Sequence, residues 1–328
     1  MIRLNVLLRF DQNTTFHVGK LAEDNHQLYF QYDQDFLTKE LWLSPYKLPL
    51  QAELFEHKDI SFSPIFGLFD DSLPDGWGLL LMDRFLRKKG YDIGSLSILD
   101  RLAFLGDNTM GALVYEPTLN LDITDTGPFD LHSLSKQSYD IVSGKTDIVL
   151  PQLIKAGGSP GGARPKILVG VLNDDMISGE TDLPEHFEHW IIKFTGENDF
   201  HDAGPVEYSY SLMAKEAGIK MTQTRLFNTH QGDRFFGIKR FDRVINQRFH
   251  VHTFGNLIHS NFRIPSQDYD HFFKLVINLT KNHQDLLRAF RQMVFNILAN
   301  NRDDHVKNVA FIMTPAGEWS LSPAYDLT

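Results

Sequence analysis

Apolar and polar residues alternate at a period of two near the N-terminus, which is the pattern of a half-buried strand. Ile2, Leu4 and Val6 fall on one side of this first strand, and residues 18–21 and 28–32 alternate in the same way. Short apolar runs of strand length recur in the second half of the chain. They predict strands at residues 167–171, 190–194, 224–227, 235–241 and 309–312.

Helical spacing appears between these strands. Asp71 or Ser72 is predicted to cap a helix that ends at Gly90, and a second helix is predicted from Ser97 to Leu105. The buried face of a third helix is predicted at Val206, Tyr210, Met213, Ala214 and Ala217. A fourth, buried helix that leads to a polar loop is predicted from Phe290, Met293, Val294, Ile297 and Leu298.

The chain has 328 residues, which is long for one domain and indicates two domains or one large unit with two lobes. Its 42% hydrophobic and 23% charged residues are typical of a soluble globular protein. A formal net charge of −10 argues against a wide contact with nucleic acid unless a basic partner supplies it. The sequence has no cysteine, which excludes disulfides and thiolate metal sites and fits a reducing compartment.

Neither a signal peptide nor a membrane span is indicated by the sequence. The apolar start of the chain carries Arg3 and Arg9 and is too short for a signal-peptide core. No apolar run approaches the length that is needed to cross a bilayer. We therefore expect a cytoplasmic protein without a membrane partner.

One segment has the composition of a linker. Residues 117–150 contain prolines, glycines and many Asp, Thr and Ser residues, with few large apolar side chains. We therefore place a domain boundary near residues 145–150, at the end of this linker.

The polar loop at 301–308 has the sequence NRDDHVKN. Asp303 precedes Asn308 by five positions and Asp326 follows later, which is the order of the catalytic loop and metal-binding aspartate in protein kinases. Asn and Asp oxygens suit Mg2+, and an unliganded Asp303 is able to accept the proton of an attacking hydroxyl. The alternative is a solvated loop. Two further residues of the loop have open roles. Asp304 is either a second acid or a loop residue, and His305 is either a metal ligand or a structural hydrogen-bonding group.

Two further features fit nucleotide binding. Segment 157–166 has four glycines within six positions, and its backbone amides with Lys166 or Arg164 suit phosphate, although a flexible turn also explains the glycines. Lys193 lies in a later strand, where it either contacts donor phosphates or faces solvent. Glu207, early in the next helix, either pairs with Lys193 or simply complements the helix dipole.

Taken together, these motifs resemble the HipA family, the serine/threonine kinase toxins of bacterial toxin–antitoxin systems. The resemblance covers essentially the whole chain. It implies an α+β, two-lobed protein-kinase-like fold. In this fold an N-terminal β-rich subdomain at 1–116 and a linker region at 117–150 are followed by a kinase-like α/β lobe at 151–250 and the start of a helical lobe at 251–328. The segments that carry it are SLPDG (72–76), GALV (111–114), SPGGARPK (159–166), IIKF (191–194), KRFDR (239–243), NRDDHVKN (301–308) and LSPAYDL (321–327).

The resemblance implies ATP and Mg2+ as cofactors and assigns roles by position. Asp303 matches the catalytic base, Lys193 the phosphate-contacting lysine, and Asn308 and Asp326 the magnesium ligands. Ser159 matches a regulatory serine that is autophosphorylated, and a phosphate there would add negative charge to an anion-binding loop. The nucleotide-binding residues implied are Gly158, Ser159, Gly161, Gly162, Ala163, Lys166 and Lys193, with Glu207 and His305 as supporting residues.

The implied partners are a HipB-like helix-turn-helix antitoxin, through which DNA is contacted only indirectly, and a protein substrate such as an aminoacyl-tRNA synthetase. Family members usually continue with a helical region, whereas this chain ends at Thr328, so the resemblance implies a truncated helical lobe. Asp326 is then expected at a fraying end. The alternatives are a weakly active or inactive pseudokinase that binds an antitoxin–DNA complex, and a small-molecule kinase.

Overall fold

The alternation at the N-terminus produces an antiparallel sheet. The computed structural model describes residues 2–119, 121, 129–149, 151–157, 161–179, 182–196 and 199–328. Within this part of the chain, Leu4 and Val6 are buried in the core beside the sheet, as their alternation predicts. The strands are β1 (Ile2–Arg9), β2 (Thr15–Asp24), β3 (Gln27–Tyr32), β4 (Leu54–Glu56) and β5 (Leu113–Glu116), in the order β4-β3-β2-β1-β5.

Helical segments pack on this first sheet. They are α1 (Gln34–Leu37), α2 (Gly67–Asp70), α3 (Gly76–Lys88), a 3-10 turn (Ile93–Ser95) and α4 (Ile98–Leu105). The prediction of α4 is confirmed, because the Ser97 hydroxyl accepts a hydrogen bond from the Asp100 amide and the Asp100 carboxylate accepts one from the Ser97 amide. Gly106 follows α4 with a φ of 55°, a conformation that favours glycine.

Helix α3 begins later than the sequence pattern predicts. Its N-cap residue is Asp75, so the prediction of a cap at Asp71 or Ser72 is wrong. The reason is that the Asp71 carboxylate accepts a hydrogen bond from the Thr253 amide, 2.9 Å away, in the C-terminal part of the chain. The predicted end is confirmed, since α3 stops just before Gly90, which has a φ of 91°.

Part of the predicted linker is helical. Helix α5 (Leu131–Val142) lies within segment 117–150, and α6 (Pro151–Gly157) follows it. Leu131 and Ile141 of α5 are buried in a second hydrophobic core. This part of the segment therefore packs as a helix, because its few apolar residues recur at helical spacing among the Ser and Asp residues. The boundaries of the predicted domains stay predictions.

A second antiparallel sheet follows. Helix α7 (Ala203–Glu216) packs on its strand β10 (Arg234–Lys239). Strand β8 (Glu188–Lys193) lies between β6 (Lys166–Leu172) and β10. Lys166 of β6 pairs directly with Lys193 of β8. The strands are β6 (Lys166–Leu172), β7 (Asp175–Ser178), β8 (Glu188–Lys193), β9 (Thr224–Asn228) and β10 (Arg234–Lys239), in the order β7-β6-β8-β10-β9.

Helix α7 buries a face that differs from the predicted one. Val206 and Met213, which were predicted to be inside, are 36% and 51% exposed. Ala214 is buried as predicted, but the buried face also carries Glu207 and Ser211. Glu207 bonds a lysine of β8, and the Ser211 hydroxyl lies 2.9 Å from that of Thr224. Hydrogen-bonded polar side chains are thus buried on this face of α7, whereas the hydrophobic spacing predicted apolar side chains there.

The C-terminal part combines a small antiparallel sheet with helices that separate its strands in sequence. The prediction of a strand at 309–312 is confirmed by β14. No helix in the described part of the chain is both long enough and apolar enough to span a membrane. The elements are β11 (Arg243–Val244), β12 (Gln247–Arg248), β13 (His250–Thr253), α8 (Phe254–Ile258), α9 (Tyr269–Thr280), α10 (His283–Leu298), β14 (Ala310–Met313) and β15 (Trp319–Leu321).

Helix α10 leads to the polar loop as predicted, but its buried face is not the predicted one. Phe290, Ile297 and Leu298 are 51%, 65% and 81% exposed. Asp285 is buried instead, because its carboxylate accepts a hydrogen bond from the Leu321 amide at 3.0 Å. The interpretation of α10 as a helix buried through its apolar stripe is therefore wrong.

A buried ion cluster joins the N-terminal part of the chain to the residues after β10. Asp242 is fully buried and lies 2.7 Å from the guanidinium groups of both Arg240 and Arg243. It also accepts a hydrogen bond from the Gly111 amide at 2.7 Å. Burial alone would raise the pKa of Asp242, but the two guanidinium groups hold it well below its usual range.

Asp242→Ala is expected to lower the free energy of unfolding by about 3–5 kcal/mol, because it leaves two buried guanidinium groups without their carboxylate. Asp174→Ala is the matched control, since the exposed Asp174 pairs with Arg225 at 3.5 Å and exposed pairs contribute little. Urea unfolding measures both changes. Equal losses in the two variants would contradict the structural role of the cluster.

Candidate functional site

Lys193, the last residue of the central strand β8, meets two carboxylates. Its Nζ donates hydrogen bonds to Glu207 on α7 and to Asp326, which follows β15. The side chains of Lys193 and Glu207 are only 11% and 6% exposed. These three residues, the lysine–carboxylate triad, join the second sheet, α7 and the last residues of the chain. The contact with Glu207 was an open alternative in the sequence, and the structure brings Asp326 to the same lysine.

The triad keeps Lys193 and Asp326 charged. Burial alone would lower the pKa of Lys193, but Asp326 and Glu207 together raise it well above its ordinary value. Burial also opposes ionisation of Asp326, yet Lys193 and Lys166 hold its pKa well below the usual range. Glu207 differs, because burial raises its pKa more than Lys193 lowers it. The pKa values of the two carboxylates are therefore shifted in opposite directions by their surroundings.

Asp326 is anchored on both sides although only two residues follow it. The Ala324 amide donates to the Lys220 carbonyl at 2.8 Å, and Leu327 is buried in the same cluster as Phe295. The Asp326 backbone has a φ of 55°, which is uncommon for a residue other than glycine. The expectation of a fraying end is therefore wrong, because these neighbours hold the aspartate in place.

The predicted catalytic loop, residues 301–308, connects α10 to β14 and is closed by its own hydrogen bonds. The Asn308 side-chain amide donates to the Asp303 carbonyl at 2.7 Å, and the Asn308 backbone amide donates to the His305 carbonyl at 2.9 Å. Asn308 is buried, whereas the Asp303 side chain is 76% exposed. The loop thus presents the Asp303 carboxylate to solvent and leaves the Asn308 side-chain oxygen as the atom suited to a cation.

The two residues with open roles in this loop have different partners. His305 Nδ1 accepts a hydrogen bond from the Lys307 amide at 3.2 Å, and His305 Nε2 lies 3.8 Å from Asp303 Oδ1. Asp304 instead accepts a hydrogen bond from the Tyr269 hydroxyl of α9. His305 therefore neighbours the predicted base, whereas Asp304 ties the loop to a helix.

Asn301 is a site residue that the sequence analysis missed. Its side-chain oxygen accepts a hydrogen bond from the Asp303 amide at 3.0 Å, and its nitrogen donates to the Asp326 carbonyl at 3.4 Å. Asn301 therefore links the loop to the triad. The one local signal was that Asn301 follows Asn300, which has a left-handed backbone conformation just after the end of α10.

Only part of the predicted phosphate-binding loop is described by the structure. Gly158 and Ser159 lie outside the described residues, whereas Gly161, Gly162 and Ala163 precede β6. Gly162 has a φ of 103°, a conformation that favours glycine. The described part of the segment therefore requires a glycine for its backbone shape.

Lys166 lies between this segment and the triad. Its Nζ donates a hydrogen bond to the Gly161 carbonyl, and a Cβ placed on Gly162 would lie 2.4 Å from that Nζ. Burial and repulsion by Lys193 lower the pKa of Lys166, while Asp326 opposes this effect. Two lysines on neighbouring strands therefore concentrate positive charge beside glycine backbone amides, which is an environment suited to an anion.

A cleft opens beside the triad and carries charges of both signs. It is lined by Lys193, Glu207, Arg164, Thr195 and Asp199, among others. Arg164 lies 3.1 Å from Asp199 and 3.7 Å from Glu207. The cationic groups that line the cleft, Lys193 and Arg164, are therefore each paired with a carboxylate.

Asn308 and Asp326 carry oxygen atoms of the kind that Mg2+ prefers as ligands. In the described residues, no three His, Asp or Glu side chains converge as a metal cage. Mg2+ is usually bound through one or two protein ligands, and water and substrate phosphates complete its coordination. An ionised carboxylate and an amide oxygen suit this mode of binding.

Two aspartates of the N-terminal part also reach the site, and the sequence analysis missed both. Asp70 lies 2.9 Å from the Nζ of Lys307, the residue before Asn308. Asp75 accepts a hydrogen bond from the Gly162 amide. The partners are 237 and 87 positions apart in sequence, so no local pattern signals either contact.

Two family descriptions together match most of the chain. Residues 13–116 match the HipA N-terminal domain, and residues 158–328 match the HipA-like C-terminal domain. A curated relative named "Putative kinase Y4dM", from Sinorhizobium fredii (strain NBRC 101917 / NGR234), is 26% identical over 153 residues. That match spans 42% of this chain and 36% of the relative.

The fold is similar to that of a solved toxin–antitoxin complex. The structure of the Shewanella oneidensis MR-1 toxin–antitoxin system HipA, HipB and its operator DNA has a TM-score of 0.70 with this chain at 19% sequence identity. The likeness covers 99% of this chain and 76% of that chain. The prediction of a mixed α and β fold of the kinase-like HipA type is therefore confirmed.

Lys193→Met is expected to lower the free energy of unfolding by about 3 kcal/mol, because it removes the nearest cationic partner of the buried Glu207 carboxylate and leaves only the more distant Arg164. The double variant Lys193→Met with Glu207→Gln is expected to lose less than the sum of the two single losses. Lys274→Met, which removes an exposed pair with Asp270, is the matched control. Urea unfolding provides the four values, and strictly additive losses would contradict a coupled triad.

Proposed function

Because the chain belongs to the HipA family, we propose that it is a serine/threonine kinase that uses ATP and Mg2+ to phosphorylate a protein hydroxyl. The observation that carries the proposal is the triad. It joins a strand lysine, a helix glutamate and the aspartate of the last motif, as the Lys–Glu pair and the metal-binding Asp do in protein kinases. The exposed Asp303 and the buried Asn308 follow in kinase order.

The residues of the cleft hold the donor in this proposal. Lys193 and Lys166 contact its phosphates, and Glu207 keeps the Lys193 ammonium group oriented. Asn308 and Asp326 hold Mg2+, which when bound neutralises charge on the phosphates. Lys193 is pre-oriented by two carboxylates, so little side-chain entropy is lost when a phosphate binds.

Asp303 acts on the acceptor in this proposal. Its exposed carboxylate orients the attacking hydroxyl and accepts its proton as the bond to phosphorus forms. The main chain of Asp303 is fixed at both ends, because its amide donates to Asn301 and its carbonyl accepts from Asn308. His305, 3.8 Å from the carboxylate, is a supporting residue.

Regulation and partners follow from the family and are part of the proposal. Autophosphorylation of Ser159 places negative charge in the segment beside Lys166 and weakens ATP binding. A HipB-like helix-turn-helix antitoxin is the proposed inhibitor, and DNA is contacted through it, since the chain has a net charge of −10. The proposed substrate is a translation component such as an aminoacyl-tRNA synthetase.

Asp303→Ala is expected to lower phosphate incorporation by about 100- to 10,000-fold, because the transfer step loses its general base. The ATP dissociation constant is expected to stay nearly unchanged, since Asp303 does not contact the donor. Radiolabelled ATP with Mg2+ measures incorporation, and titration calorimetry measures affinity. Asp304→Asn, which keeps a hydrogen-bond acceptor for Tyr269, is the matched control and should retain activity.

The alternative of an inactive pseudokinase has a distinct outcome. A wild-type chain that incorporates no phosphate and shows no thermal shift with millimolar Mg-ATP, yet binds a helix-turn-helix antitoxin tightly, would favour that alternative. Equal losses in the Asp303 and Asp304 variants would instead contradict the assignment of the base.

Ser159→Ala is expected to abolish self-phosphorylation while ATP affinity stays close to that of the wild type. Ser159→Asp is expected to weaken ATP binding severalfold, because its charge repels the phosphates. Mass spectrometry locates the phosphate, and titration calorimetry compares the two variants. Phosphate found only on other residues, or equal affinity in both variants, would contradict the regulatory role of Ser159.

A further inference from the structure

A short segment of the N-terminal part, residues 70–77, lies between the two loops of the proposed kinase site. We call it the bridge segment. It begins at the end of α2 and runs into the first turn of α3. Its polar groups contact the polar loop at one end and the glycine-rich segment at the other.

The first end of the bridge segment contacts the polar loop through Asp70. Asp70 Oδ2 lies 2.9 Å from Lys307 Nζ and accepts a hydrogen bond from Asn256 at 2.9 Å. The ammonium group of Lys307 also lies 5.1 Å from the centre of the Phe262 ring.

Lys307 connects Asp70 to the proposed site residues. It is adjacent in sequence to Asn308, the proposed magnesium ligand. Its carbonyl accepts a hydrogen bond from the Tyr325 hydroxyl at 2.8 Å, and Tyr325 precedes Asp326. The two residues joined by this hydrogen bond are thus each covalently next to one proposed metal ligand, Lys307 to Asn308 and Tyr325 to Asp326.

Asp71 fixes the bridge segment to the C-terminal sheet and α8. Its carboxylate accepts hydrogen bonds from the Thr253 amide at 2.9 Å, the Thr253 hydroxyl at 2.8 Å and the Asn256 side chain at 2.7 Å. It also lies 2.6 Å from His252 Nδ1. Four polar contacts on one buried carboxylate leave little freedom for its neighbour Asp70.

The second end of the bridge segment contacts the glycine-rich segment. Asp75 accepts a hydrogen bond from the Gly162 amide, and the Trp77 amide donates to the Gly162 carbonyl at 3.2 Å. The Trp77 indole also donates to the Lys166 carbonyl at 2.9 Å. A Cβ on Gly76 would lie 2.7 Å from the Cα of Ala163, so the two backbones are in direct contact.

We propose that Asp70 and Asp75 are positioning residues of the kinase: Asp70 orients the loop that carries Asn308, and Asp75 holds residues 161–166, the described part of the glycine-rich segment, in position at the start of β6. This inference rests on the proposed function. The N-terminal part is then a component of the active site, because it aligns the phosphate-binding segment with the catalytic loop. Neither aspartate takes part in the chemistry.

Kinetic measurements distinguish the effect of losing the Asp70 contact from that of losing the Asp75 contact. Asp70→Asn is expected to lower kcat about 10- to 100-fold with KM for ATP nearly unchanged, because a small displacement of the catalytic loop slows transfer. Asp75→Asn is expected to raise KM and the dissociation constant for ATP about tenfold with a smaller change in kcat, because the Gly162 amide loses a charged acceptor. A merely structural role would not separate kcat from KM in this way.

Asp83→Asn is the matched control. Asp83 lies on the same helix, α3, and pairs with Arg101 rather than with either loop. It is expected to leave kcat and KM unchanged. Thermal unfolding of all three variants checks folding, and Lys307→Gln tests the Asp70 contact from the other side if Asp70→Asn does not fold.

Hydrogen exchange provides a readout that does not depend on activity. Asp75→Asn is expected to speed exchange at the Gly162 amide, and Asp70→Asn is expected to speed exchange within residues 305–308. Unchanged exchange at these amides would overturn the inference. So would equal effects of both variants on kcat and KM. A wild-type chain without kinase activity would refute the proposed function alone, since the exchange result would still decide whether the bridge segment holds the two loops.

Discussion

The pairing of Lys193 with the carboxylates of Glu207 and Asp326 is the interaction on which the rest of the site depends. A buried ammonium group is stable only when it is paired, so this contact fixes the second sheet, α7 and the last residues relative to one another. The Asn301 side chain extends the arrangement from Asp326 to the loop that carries Asp303. Groups from distant parts of the sequence are thereby linked by one set of contacts.

The N-terminal part contributes to the same arrangement through buried polar contacts. Asp71 meets the C-terminal sheet, and Gly111 contributes an amide to the buried Asp242 cluster. Separating the parts would leave buried charges without partners, which is costly in a low-dielectric interior. One set of buried polar contacts therefore holds the first sheet and its helices against the kinase-like part of the chain.

Local patterns predicted the strands, the end of α3 and the polar loop, because alternation, glycines and charge clusters act over a few residues. The same patterns failed for the buried faces of α7 and α10. There Glu207 and Asp285 turn inward to partners far away in sequence, while Val206 and Leu298 remain exposed. The order of Asp303, Asn308 and Asp326 predicts a kinase-type site, and this stays a prediction. Its supporting residues were invisible, because their contacts form only in the folded chain.

A crystal structure of the chain with a non-hydrolysable ATP analogue and Mg2+ tests the central claim most directly. The account predicts that the triphosphate lies in the cleft beside Lys193 and that the side-chain oxygens of Asn308 and Asp326 contact the metal ion. An analogue bound elsewhere on the molecule, or a metal ion held without either of these residues, would contradict it.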